Sequence, residues 1–455
     1  MSKHSLIGIL LCSVCSPVLL AQVQGTTLSD APMQMQTSAA LPVATSPDET
    51  LTRLQAEQMA LKNNPRISVA ALIALAQKQV VRETRSGELP SLYGNGTGVG
   101  AEEASRISSG ALTASRLLNH VGAGVQLNQL ITDFGRTPNL VASSSLQAKA
   151  ATQSAEATRE DIVFASDLAF YNALEAQATL QVANSTVNER QSVTDQVDAL
   201  TASKLKSTLD QSFAQVNLSQ AKLLVLDSQN QANAAMASLN DILGTTTDHH
   251  YQLVDDLALP APIADSAEAV IALALQQRPD LKAQQLTHDA DVRFSRAQHE
   301  LLLPTISAAG VVGVTPVGSP TYFPQDWYGA AGVNVSIPIF NGFKFHAEAA
   351  EADLRAKASN EQSRQLTVRI VRDVRTAWLT AITAQQRMSV TAELVKEANT
   401  ALDLAQTRYQ LGLSSIVELS QAQLQQTQAQ IADANARFEY EADLATLRFQ
   451  SGSQP

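Results

Sequence analysis

Two periods of apolar and polar residues alternate along this chain. In "HVGAGVQLNQLI" (120–131), Val121, Ala123, Val125 and Leu127 fall on one side, and His120, Gln126 and Asn128 on the other. That is the two-residue period of a strand. The same alternation groups Ile306, Ala308, Val312 and Val314, and sets Ala331, Val333, Val335, Ile337 and Ile339 against Asn334, Ser336 and Pro338. Elsewhere the period lengthens. Val395, Ala398, Leu402, Ala405, Tyr409 and Gly412 step by three and four, and Val417, Leu424, Ile431, Phe438 and Ala445 recur every seventh residue. This spacing is that of a coiled-coil seam with small knobs. From Asn139 to Leu243 there is no Gly or Pro. As one helix the stretch would reach roughly 158 Å, so a hairpin is expected, bending near Lys204–Ser207.

These elements are written twice. Pro65 and Pro90 have counterparts 214 residues on at Pro279 and Pro304. Further along the offset becomes 208 and holds, carrying Gly124 to Gly332, Asp133 to Asn341, Asp210 to Glu418 and Gly244 to Gly452. The pattern predicts a first repeat over 48–244, with strands about 91–100 and 119–131 and a helical hairpin over 138–243. A linker over 245–262 leads to a second repeat over 263–452, with strands about 305–314 and 328–339, a hairpin over 343–451 bending at Tyr409–Ser415, and a tail at 453–455. Pro65 and Pro279 each suit the first position of a helix.

Composition changes the picture at the N-terminus and in the cores. Residues 1–21, with Lys3 ahead of the apolar run Leu6–Leu20, read as a secretory signal peptide cleaved after Ala21 or Gly25, and 22–47 as a loose tail. Both cysteines, Cys12 and Cys15, lie inside that signal, so the exported chain would carry no disulfide and no thiol site. Aromatics are only 4% of residues, too few for an ordinary large globular core and suited to helices packed through small side chains. A net charge of −11 without a basic stripe excludes a nucleic-acid partner. No later apolar run reaches the ~18 residues of a membrane helix.

The strands leave two readings open. They form either a small soluble antiparallel sheet or part of a membrane barrel, with Tyr322, Phe323, Trp327 and Tyr328 as an interfacial girdle. Four strands cannot close a barrel alone, because barrels start at about eight and an open edge in hydrocarbon is prohibitively costly. In the membrane reading, several chains must pool strands.

The duplication, the breaks "NPRI" and "RPDL", the corners "TDFGR" and "PIFNGF" and the tip "YQLGLSSIVEL" together resemble the TolC family of outer-membrane efflux and secretion channels. The likeness covers nearly all of the chain past the signal. It implies a mainly α fold with a membrane β-barrel part: a homotrimer sharing one barrel of roughly twelve strands above a long periplasmic helical coiled-coil tube. It also implies a pore constriction at the tube's tip. There Glu418 stands where the family has an aspartate, Asp210 stands at the place of a second acid that Tyr409 would latch, and Ser414 and Gln421 replace an arginine and an acid of the same network. Lys204, Leu205, Ser207, Leu411, Gly412, Leu413 and Ser414 would form the hairpin tips that meet a periplasmic adaptor (membrane fusion) protein. Asp133, Phe134, Gly135, Asn341 and Gly342 would turn strand into helix, with Pro138 starting the first long helix. The implied activity is that of a passive outer-membrane exit duct for small molecules. It would be embedded in outer-membrane lipid and driven by an inner-membrane transporter.

Two alternatives remain: the channel of a type I protein secretion system, and a secreted structural or adhesive coiled-coil protein. Chemistry-bearing motifs do not favour an enzyme. "DHHYQLVDD" (248–256) places adjacent histidines in a loop without metal geometry. "GNGTGVG" (94–100) lacks phosphate-loop spacing, and His288 and His299 lie about three turns apart on one helix. No catalytic residue, cofactor or metal is expected.

Overall fold

In the computed structural model of the protein, residues 49–99, 120–247, 249–254, 263–314 and 327–452 are described. The expected signal peptide, the tail over 22–47, Tyr322, Phe323, the linker's 255–262 and the end at 453–455 lie outside them. A strand β1 (Glu49–Thr52) leads into α1 (Arg53–Asn63), α2 (Pro65–Ser86), β2 (Ser91–Val99), β3 (His120–Thr132), α3 (Arg136–Ala202) and α4 (Thr208–Ile242). After β4 (Tyr251–Val254) the order recurs in α5 (Ala267–Gln277), α6 (Pro279–His299), β5 (Thr305–Val314), β6 (Trp327–Ser336), α7 (Lys344–Gln410) and α8 (Ile416–Ser451). The long helices α3 and α7 both have 67 residues, roughly 100 Å each. No described helix is long and apolar enough to cross a membrane.

The proline breaks are built differently in the two halves. Asn64 Oδ1 accepts the Arg66 N–H at 3.0 Å and so caps α2, while its Nδ2 donates to the Ile242 carbonyl at the end of α4. Arg278 cannot cap α6. Instead its guanidinium holds Asp280 and the Gln450 side chain at 2.7 Å each, tying the break to the end of α8.

The stretch expected to be a plain linker contains a strand. β4 runs parallel to β1 in register from Glu49↔Tyr251 to Thr52↔Val254. Tyr251, Leu253 and Leu51 are buried with Phe170, Leu239, Leu243 and Phe438. Alternate burial along "YQLV" is what a two-residue period yields over a core. A second core joins α5, α7 and α8 through Val270, Ile271, Ile370, Val374, Ala377, Ala381 and Leu444. Alanines supply many of its contacts, consistent with so few aromatics.

The second sheet is antiparallel, in the order β2–β3–β5–β6. Its register aligns Leu92 with Leu127, Val125 with Val312, Ala308 with Val333 and Ile306 with Val335. Every apolar position expected to share a side within these strands therefore does so, with Gln126, Asn128, Ser307 and Asn334 on the other face. Two expectations are corrected. β6 ends at Ser336, so Ile337–Ile339 continue the alternation in sequence but leave the ladder. Tyr328 is not on the Trp327 face. Its ring lies over Gly124 and Gly313, where an added Cβ would come within 2.6 Å of its hydroxyl, so the glycines make room for the aromatic.

At the first corner the helix begins at Arg136, not at Pro138. Phe134 (φ +58°) and Gly135 (φ +114°) are both left-handed and set the turn before the proline is reached. Buried Asp133 accepts the Thr137 N–H at 2.8 Å and the Thr137 hydroxyl at 2.5 Å. At the second corner the order inverts, with Gly342 (φ +66°) ahead of Phe343 (φ +65°), and Asn341 offers its carbonyl to the Lys344 N–H at 3.4 Å. Each corner thus holds one left-handed aromatic, at a cost of about 1–2 kcal/mol.

The α8 heptad is also corrected. Phe438 and Ala445 are buried, but Val417 and Leu424 are 54% and 49% exposed. The buried residues of α8 near the tip include Ile416, Leu419, Gln423 and Gln426 instead.

Candidate functional site at the hairpin tips

Both hairpins turn by the same device. After α3, the Leu205 N–H reaches the Leu200 carbonyl at 2.8 Å and the Lys204 N–H reaches Thr201 at 2.9 Å. After α7, Leu413 reaches Arg408 at 2.8 Å and Gly412 reaches Tyr409 at 3.1 Å. These paired bonds satisfy the last helix carbonyls and require a left-handed residue between them. Gly412 (φ +71°) meets that requirement cheaply, whereas Lys204 (φ +58°) meets it at a cost. Leu205, Leu411 and Leu413 remain exposed, as apolar knobs at the end of the molecule.

A serine then starts each return helix. Ser207 Oγ accepts the Asp210 N–H at 3.2 Å, and the Asp210 carboxylate accepts from the Ser207 N–H at 3.1 Å and its hydroxyl at 2.9 Å. This reciprocal arrangement is a capping box. Ser415 caps Glu418 in the same way at 3.4 Å, but the Glu418 carboxylate turns elsewhere. It pairs with Arg408 Nε at 3.2 Å across the turn, with both side chains about half exposed. Sequence reasoning missed Arg408. Its signal was symmetry, since 408 and 418 are equidistant from Leu413 and must face each other in a hairpin.

Tyr409 is buried among Val197, Ala214, Ile416 and Leu419, with Lys206 Nζ 4.0 Å above its ring. Its hydroxyl has no hydrogen-bond partner among the described residues, nor does that of Ser414. Burial raises the Tyr409 pKa, and the nearby charge of Asp210 raises it further. Tyr409 and Asp210 are thus not hydrogen-bonded within one chain, and the Asp210 carboxylate is bonded to the start of its own helix. The tips bring together Asp210, Tyr409, Lys206, Arg408 and Glu418. The corner residues Asp133 to Gly135, Asn341 and Gly342 sit at the opposite ends of the long helices.

The serine and acid recur at the two turns, Ser207 with Asp210 and Ser415 with Glu418, whereas the tyrosine does not, because Thr201 stands at the place of Tyr409. Among the described residues, no group of three or more His, Cys, Asp or Glu could hold a metal.

Comparison with known proteins places this architecture. The chain is 23% identical over 411 residues to Outer membrane protein TolC of Escherichia coli (strain K12), covering 85% of this chain and 79% of that one. It is 26% identical over 416 residues to Solvent efflux pump outer membrane protein SrpC of Pseudomonas putida, covering 86% and 83%. Its fold matches the CmeC outer membrane channel of Campylobacter jejuni with a TM-score of 0.78 at 16% identity, over 94% of each chain. The profile of outer membrane efflux proteins matches residues 57–245 and 270–453. With both halves matched, the chain belongs to the outer membrane efflux protein family and is an outer-membrane efflux channel.

Proposed function

We propose that three copies of the chain, each a duplication over 48–244 and 263–452 freed of its signal peptide after residue 21 or 25, close one barrel of twelve strands above a helical tube. The assembly is a passive exit duct for small molecules. Its tips dock to a periplasmic adaptor protein and an inner-membrane transporter that supplies the energy, and the duct itself carries out no reaction. The observation that carries this reading is the four-stranded sheet. Among the described residues it has one apolar face and two unpaired edges, β2 and β6, which hydrocarbon does not tolerate. Pairing β2 of one copy with β6 of the next removes every edge.

The helices support the same arithmetic. Leu209, Phe213, Val216 and Leu223 form an exposed stripe on α4, and Val390, Leu394 and Leu404 form another on α7 that leads to Leu411 at the turn. Both run at the spacing of a coiled-coil seam and stay uncovered by the described residues of one chain. The description of SrpC as part of a solvent efflux pump supports a small-molecule cargo.

The test is the mass of the chain extracted in detergent from outer-membrane fractions. Three chains are expected, and Leu223→Lys is expected to shift the population towards single chains. A soluble wild-type monomer refutes the proposal.

A further inference from the structure

Between the sheet and the tips, several buried polar atoms lack a hydrogen-bond partner among the described residues, and one of them belongs to the Arg190 guanidinium. Arg190 lies on α3, roughly 18 Å short of that helix's end at ~1.5 Å per residue, and is only 6% exposed. Its Nη2 donates to the Gln423 carbonyl at 2.8 Å and to Thr427 Oγ1 at 3.1 Å, and both acceptors are neutral. Its Nη1 is buried with no partner. Among the described residues no carboxylate pairs with it. The acid whose charge it feels, Glu189, is exposed on the same helix. A guanidinium stays charged even when buried, and an uncompensated buried charge is strongly destabilising.

The space beside Arg190 is a pocket of about 210 Å³ lined by Thr186, Asn217, Gln220, Ser420 and Thr427, with Leu224 and Leu424 as its larger apolar walls. A water takes roughly 30 Å³, so the pocket has room for an ion and several waters. Apart from Arg190 its lining is neutral, and the amides of Asn217 and Gln220 can donate as well as accept. Ser420 Oγ already accepts from Asn217 Nδ2 at 2.7 Å, which leaves the serine's own hydrogen for a ligand. No acid lines the pocket. At the offset of 208 the place of Arg190 is taken by Ala398, so the feature belongs to one half of the chain only.

We propose that this pocket, between α3, α4 and α8, is a binding site for a halide-sized anion, with Arg190 Nη1 and the Ser420 hydroxyl as its principal donors. Chloride there neutralises the buried guanidinium and fastens α3 to α8 partway along the tube. The site is separate from the tip constriction and stands whether or not the tip acts as a gate. Water alone satisfies the hydrogen bond of Nη1 but not its charge.

The experiment uses the full chain purified in detergent. Crystals grown in sodium bromide are expected to show an anomalous peak within about 3.5 Å of Arg190 Nη1, an N–H···halide distance slightly longer than an N–H···O bond. Water alone at that place, or a carboxylate from a neighbouring copy, overturns the proposal. In solution, helical melting is compared in sodium chloride and sodium gluconate at equal ionic strength. Saturating chloride is expected to raise the Tm by about 2 °C or more, and Arg190→Gln to abolish the difference. A chloride effect that survives Arg190→Gln also overturns it. Should that variant fail to fold, the bromide measurement on the unaltered chain still decides.

Discussion

Replacing Val125 by Lys tests where lipid lies. Val125 sits near the middle of β3, opposite Gly94 on β2 and Val312 on β5, on the face that also carries Leu127, Val333 and Val335. A lysine at the bilayer midplane of a barrel costs about 2–4 kcal/mol. Three copies would carry three of them, roughly 6–12 kcal/mol per assembly, which is comparable to the ~5–15 kcal/mol net stability of a folded domain. Gln126, the next residue, faces the other way and bonds Asn128 Oδ1 at 3.3 Å. Gln126→Lys is therefore the matched control, with the same charge at the same depth on the polar face.

The assay is the amount of detergent-resistant trimer recovered from outer-membrane fractions. Val125→Lys is expected to lower it at least tenfold, because 1.4 kcal/mol already corresponds to a factor of ten at equilibrium. Gln126→Lys is expected to stay within about twofold of the unaltered chain, as lumen substitutions do in barrels. Equal recovery of the two variants would refute the lipid-facing assignment, and with it the pooled barrel.

Three further outcomes follow from the tips and the helices. Asp210→Ala removes the capping box and is expected to cost about 1 kcal/mol, seen as faster amide exchange in the first turn of α4. If exchange there is unchanged, the Ser207–Asp210 bonds do not hold the turn. Glu418→Gln breaks a half-exposed pair worth less than about 1 kcal/mol, so the melting temperature should hardly move while conductance in a planar bilayer rises. A large loss of stability with unaltered conductance would make the Arg408 pair structural. Burial, then the charges of Glu156 and Asp280, push Glu160 up to about 7, and burial, then Glu439, push Asp443 up to about 6. Unfolded carboxyls titrate near ~4, so the folded chain holds the extra protons between these values. Their contribution to stability is full below about pH 4 and is lost as pH rises through 6 and 7. Helical melting should fall between about pH 4 and 7, and Glu160→Gln with Asp443→Asn should flatten that fall. An undiminished slope in the double variant counts against the assignment.

What could be read from the residues alone was whatever is local or written twice. Alternation placed Val121, Val125, Val312, Val333 and Val335 on one face because a two-residue period leaves no other arrangement once the strands pair. The same rule overran at Ile337–Ile339, where the alternation continues although the backbone has left the ladder for the corner. Pro138 drew the first helix boundary two residues late, because the left-handed pair Phe134–Gly135, and not the proline, sets the turn. The inversion of aromatic and glycine in the other copy shows that the backbone conformation is what repeats. Val417 and Leu424 are the most instructive miss. A heptad states that a seam exists but not what lies across it, and here its near-tip residues Val417 and Leu424 stay about half exposed on a single chain. Together with the stripes on α4 and α7, it marks surface that one copy cannot cover and a second copy can. Arg190 had no such signal. A single arginine in a polar helix reads as solvated, and only the packing of α8 over it turns a surface charge into a buried one that requires an anion.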